Sequence, residues 1–174
     1  MNNLDITVIV GQLVLLALTF IIIPIVAQKY GRRAQDAAEK AVASQGFERD
    51  LLFKNGVKMT ESKVEMLLPL AFAVMYAVVA VMSLKSGLNR TLLWIIEGFT
   101  FVVVGMVTAQ QVFITSFIKR VFKNSKDERL HTVDVERFIA AATAEFPSWL
   151  RAVQIVRFAL ATIGALLVIA LISL

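Results

Sequence analysis

Four apolar blocks, each long enough to cross a bilayer, constrain this chain more than any other feature: Ile6–Ala27, Val64–Leu84, Leu92–Ile118 and Ala152–Leu174. Roughly 20 apolar residues suffice for a helix to span the ~30 Å hydrocarbon layer. In lipid the backbone must satisfy its own hydrogen bonds, so blocks of this kind fold as helices. Hydrophobic residues make up 58% of the 174 residues, and the mean hydropathy is +0.75. Ordinary soluble domains average nearer ~45–50% apolar. The expected fold is therefore all-α: a polytopic membrane protein, one domain over residues 1–174, with four transmembrane helices and short amphipathic cytoplasmic helices.

The basic residues set the expected orientation. Eight fall between the first and second blocks, from Lys29 to Lys63. Eight more lie from Lys119 to Arg157, and only Lys85 and Arg90 remain on the other side. Lysine and arginine accumulate in cytoplasmic connections. Both long connections are then cytoplasmic and both termini lie outside, as in a multi-pass protein of the cell membrane. Trp94 and Trp149 fall at opposite interfaces. The first block has no basic region ahead of it and exceeds a signal-peptide core, so it reads as a retained span. The net charge of +5 sits beside apolar blocks, which points to an anionic cytoplasmic leaflet as its partner and away from nucleic acid.

Both long connections carry helical patterns, over about 31–60 and 125–147. Ala34, Ala37, Ala38, Ala41 and Val42 recur at helical spacing up to Gly46. A second short helix is expected at Phe47–Phe53, stopped near Asn55-Gly56. Val135 to Phe146 presents Phe138, Ile139, Ala142 and Phe146 on one face, closed by Pro147. These helices either pack on their own bundle or lie among lipid headgroups. Ser62 to Glu65 and Ser125 to Glu128 have capping-box spacing, and Ser148 is placed to cap the last span. Pro24 removes a backbone donor near the end of the first span. Ala73, Ala77 and Ala80 suggest a close-packing face on the second. The short connection from Lys85 to Arg90 makes the second and third spans an antiparallel hairpin, and the sequon at Asn89 in so short a loop reads as accidental.

The third block carries the polar residues that matter most. At 100° per residue Glu97, Thr100, Thr108, Gln111 and Thr115 share one face, with Val104 between them and Gln110 opposite. Such a stripe has to face protein or water. Glu97, about 8 Å inside the outer edge by the ~1.5 Å rise, is an ion or proton site or an interhelical hydrogen-bonding group. Gln12 is its nearest partner by depth. On the fourth span Gln154, Arg157, Ala161 and Ala165 share a face. Arg157 either reaches back to the headgroups or joins Gln111, at the same depth, in an interhelical polar layer with Thr108, Thr115 and Gln154.

Catalytic and metal chemistry find few carriers here. There is no cysteine and one histidine, His131, in a connection. No aspartate lies within a span, and no glycine-rich phosphate loop is present. No cofactor, metal site or enzymatic activity is expected. Two readings remain. One is a non-enzymatic membrane subunit that assembles with itself or with other membrane subunits. The other is an oligomeric ion or small-solute channel lined by the polar face of the third span, with Glu97 as a charged ring at its mouth.

Overall fold

The computed structural model describes residues 3–60, 64–86 and 90–174, which are mostly helical, with no strand among them. Its first element, α1 (Asn3–Ala43), is a single helix of 41 residues. The sequence suggests two elements here, a span ending near Ala27 and a separate amphipathic helix from Ala34. They are one because the inward face never breaks: Ile9, Leu13, Leu16, Phe20, Ile23, Gly31, Ala34, Ala38 and Val42 are all buried. The lipid-compatible part hands over to a protein-packed part with no change of phase, and Pro24 is carried inside the helix. At ~1.5 Å per residue α1 is about 60 Å long, twice the hydrocarbon thickness. Gly46, at φ +93°, turns the chain away after it.

The remaining elements follow in order. Helix α2 (Leu51–Lys54) is one turn that buries Leu51 and Leu52 and is closed by Gly56 at φ +76°. Helix α3 (Leu67–Ser86) begins three residues later than the sequence suggests; Ser62, Lys63 and the sequon residue Asn89 lie outside the described residues. Its inward face is Ala73, Tyr76, Val79, Ala80 and Ser83, while Ala77 is exposed. Helix α4 (Arg90–Val112) stops at Phe113, whose φ of −102° and ψ of 35° leave the helical region. Helix α5 (Ile114–Lys123) follows that break. The block Leu92–Ile118 is thus two elements, and Thr115 belongs to the second.

A short 3₁₀ turn, Glu128–Thr132, is capped by Asp127, which accepts from the Arg129 amide. Ser125 instead accepts from the Asp127 amide, so the expected box is replaced by two local turns. Helix α6 (Val135–Ala144) is capped by Asp134, and α7 (Trp149–Ser173) closes the fold. Ser148 precedes α7 without a side-chain cap bond.

Four of these helices, α1, α3, α4 and α7, are long and apolar enough to cross a membrane. Helix α3 lies along α1, α4 along α7, and α1 also meets α7. Helices α3 and α4, although consecutive, approach through long side chains, with Phe72 and Phe99 rings 5.9 Å apart. One apolar core fills this bundle, from Ile9 to Ile172. A second lies beyond it, in a cap where α6 packs on the last turns of α1 and α5 packs on α6, with Phe138, Phe122, Ala34, Ala38 and Val42 in the core. Ile23, Val26 and Leu150 join the two.

Side-chain amides on α1 and in the turn after it pin the cap. Gln45 accepts from the Asp134 amide at 2.7 Å, and Gln35 accepts from the Met59 amide at 2.7 Å. Gly31 lets that same segment cross α1, because a Cβ there would stand 2.5 Å from the Met59 carbonyl oxygen.

Candidate functional site: a buried polar column

Glu97, Thr100, Val104 and Thr108 all face the interior of the bundle, and the Glu97 and Thr100 side chains are wholly buried. Their spacing explains a local feature. Two successive four-residue steps, Thr100 to Val104 to Thr108, over-rotate an α-helix by about 40° each at 100° per residue. In α4 the turn Thr100–Val104 is π-helical, and the extra residue absorbs the drift. Helix α7 shows the same pairing of pattern and device. Arg157, Ala161 and Ala165 are buried at four-residue steps, and Leu160–Gly164 is π-helical. The sequence carries this signal in the repeated four-residue spacing, although the hydrogen-bond register cannot be read from it.

The two π turns face each other. A Cβ on Gly105 would stand 3.1 Å from the Thr162 methyl, so a side chain there would press on Thr162. Gln12 packs beside Gly164, with its amide nitrogen 3.4 Å from where a Cβ would stand. Gln12 Nε2 donates to Glu97 Oε2 at 3.1 Å and to the Leu160 carbonyl, inside the α7 π turn, also at 3.1 Å. Both amide hydrogens are thereby used. Gln12 Oε1 and Glu97 Oε1 are buried and meet no hydrogen-bond donor among the described residues.

The next layer joins α3 to α4. The Tyr76 and Thr100 hydroxyls are 2.8 Å apart. Thr100 gives its only hydroxyl hydrogen to the Ile96 carbonyl, which makes Tyr76 the donor. Tyr76 carries no polar label in an apolar run, and the alanines around it draw attention away from it. Thr108 turns back onto its own helix, donating to the Val104 carbonyl at 2.8 Å.

Nearest the cap, Arg157 Nη2 donates to Gln111 Oε1. The guanidinium also stands 5.1 Å from the centre of the Phe20 ring, a separation suited to cation–π attraction. Glu97 and Arg157 occupy separate layers. Thr115 and Gln154 line a cavity of about 400 Å³ together with Gln111, Lys58 and Arg151, where the bundle meets the cap. The structure therefore brings Gln12 to Glu97, Tyr76 to Thr100 and Gln111 to Arg157. It leaves Thr108 within its own helix and puts Thr115 and Gln154 at the cavity wall.

Outside the apolar helices the charges are local. Arg129 donates to Asp127 through Nε at 2.9 Å and Nη2 at 2.8 Å, and holds that carboxyl at about 2, below its ordinary 3.8. Lys54, between Glu48 at 2.9 Å and Asp50 at 3.1 Å, is pushed up by those hydrogen bonds. His131 is exposed, with Nε2 3.0 Å from the Ser125 carbonyl. No group of three metal-ligating side chains occurs among the described residues. No protein-family model, curated protein or solved structure matches the chain.

Proposed function

We propose that this chain is a non-enzymatic, multi-pass subunit of the cell membrane that assembles through its helices with itself or with other membrane subunits. Both termini would lie outside, with the cap in the cytoplasm against an anionic leaflet. One observation supports this best. The polar groups of the third span are engaged inside a single chain, where they tie α1, α3, α4 and α7 together. What the bundle turns outward is apolar, as in Leu68, Val74, Val78 and Val81 of α3. In lipid, such faces associate by packing and not by hydrophobic force.

A channel lined by this stripe between copies would need Glu97, Thr100 and Thr108 at the outer surface of the chain, and they are buried within it. The deciding measurement is the mass of the protein extracted directly into native-lipid particles. An assembly of several copies, or one with a second membrane protein, is the expected result. A lone monomer overturns the proposal, and a closed ring that carries ions across reconstituted vesicles replaces it with the channel.

A further inference from the structure

We propose that Glu97 and Gln12 form a proton-binding site between the two π turns, with Glu97 protonated at rest. Charge and hydrogen-bond counting carry the inference. Glu97 is wholly buried and its surroundings are sparse in charge. Along α1 there is no ionisable side chain from Ile6 to Gln28, and along α7 there is none after Arg157. Helix α3 contributes Tyr76, whose hydroxyl is directed at Thr100, and Lys85, exposed in its last turn. Helix α4 itself has only Arg90, exposed at its far end and about 10 Å away along the helix at ~1.5 Å per residue. Arg157 is in the layer of Gln111, about 20 Å along α4 by the same rise.

An ionised Glu97 is thus an acceptor-only group facing one neutral amide, in a region where an uncompensated charge is costly. The amide cannot complete the match. Gln12 gives both hydrogens away, one to Glu97 Oε2 and one to the Leu160 carbonyl. Two buried oxygens then remain, Gln12 Oε1 and Glu97 Oε1, with no donor among the described residues. A proton on Glu97 Oε1 removes the charge and creates the one donor that Gln12 Oε1 lacks. A carboxylic acid and a primary amide complement each other in both directions, donor to acceptor and acceptor to donor. An alkali ion would remove the charge too, but it needs more oxygens than the two left open here.

The placement gives the proton a consequence. Gln12 touches α4 through Glu97 and α7 through Leu160 and Gly164. Loss of the proton leaves a carboxylate at the point where three helices meet, between two turns of weakened helical geometry. The bundle is predisposed to loosen there.

Infrared difference spectroscopy of the protein in lipid nanodiscs at neutral pH tests this. The wild type should show a protonated-carboxyl stretch that vanishes in Glu97→Gln, whether or not sodium is present. Absence of that band, or its persistence in Glu97→Gln, overturns the proposal. A band that emerges only when sodium is withdrawn also overturns it, because the resident cation is then an alkali ion. Should Glu97→Gln fail to fold, Gln12→Leu decides: the band must shift, since the hydroxyl loses its acceptor, and an unmoved band counts against the site.

Discussion

Arg157 of α7 donates to Gln111 of α4 while its guanidinium lies over the Phe20 ring of α1, so one cation joins three helices. Hydrogen bonds between membrane helices average only about 0.6 kcal/mol in measured cycles, but a buried cation that loses an acceptor is worse off than a pair removed together. Gln111→Leu should therefore destabilise the protein more than Arg157→Leu. The double mutant should recover part of the loss, with a coupling of at least about 0.5 kcal/mol. Additive effects in thermal melts would defeat the expectation.

Phe138 is wholly buried against Phe122, ring to ring at 5.9 Å, on the cap side of α1. Phe138→Ala should cost about 3–5 kcal/mol, the usual range for truncating a core phenylalanine. The melting temperature in detergent should fall, because the contact is with protein. An unchanged melt with weakened vesicle binding would mean that α6 belongs to the lipid surface.

The last turns of α1 show what can be read from a sequence of this kind and what cannot. Ala34, Ala38 and Val42 announce a helix, and the structure has one. That this helix is continuous with the apolar block before it is hidden, because Lys29, Arg32 and Arg33 mark a change of side-chain polarity and not a change of conformation. The opposite error arises at Phe113, where an unbroken apolar run conceals a break in the backbone. Hydropathy reports where a residue is comfortable, whereas breaks and π turns are set by backbone packing. The pairing of Gln12 with Glu97 was legible from depth and type alone. Tyr76 was not, because its partner is a hydroxyl that bonds its own helix.

Gly31 and Gly11 make a matched pair on α1. A Cβ at Gly31 would meet the Met59 carbonyl at 2.5 Å, whereas one at Gly11 meets nothing within 4 Å. Gly31→Ala should destabilise by about 1–3 kcal/mol through displacement of the crossing segment. Gly11→Ala should be neutral or gain up to about 1 kcal/mol from helix propensity. Comparable melting temperatures for the two variants would contradict the packing at Gly31.

The Asp127 carboxyl is held down by the Arg129 side chain, at about 2 against an ordinary 3.8. A carboxyl lowered in the folded state contributes stability above its unfolded value and loses it as pH falls toward the folded one. The Asp127–Arg129 contribution should thus be constant from neutral pH to about 4 and fade between there and about 2. The pair is exposed, so the effect is small and weakened by salt. In Asp127→Asn, titration of cap melting should lack this acid limb; an identical limb in the variant assigns it to another group.

Cysteines introduced at Asn3 and Ser86 should react with an impermeant reagent in whole cells, while those at Ser44 and Ser125 should stay protected. Eight basic residues in each long connection against two in the short one motivate the expectation. Reversed labelling would invert the orientation.

Helix α1 contributes Leu13 and Phe20 to the bundle core, Ile23 and Val26 to the junction, and Ala38 and Val42 to the cap core. It is therefore a lever that is clamped along its whole length. Its one interrupted rung is at Pro24, where a backbone donor is missing. A tilt of about 5° that passes this point carries the far end of a ~60 Å rod through about 5 Å, so a shift of α1 beside Glu97 reaches the seat of α6 to the extent that Pro24 holds straight.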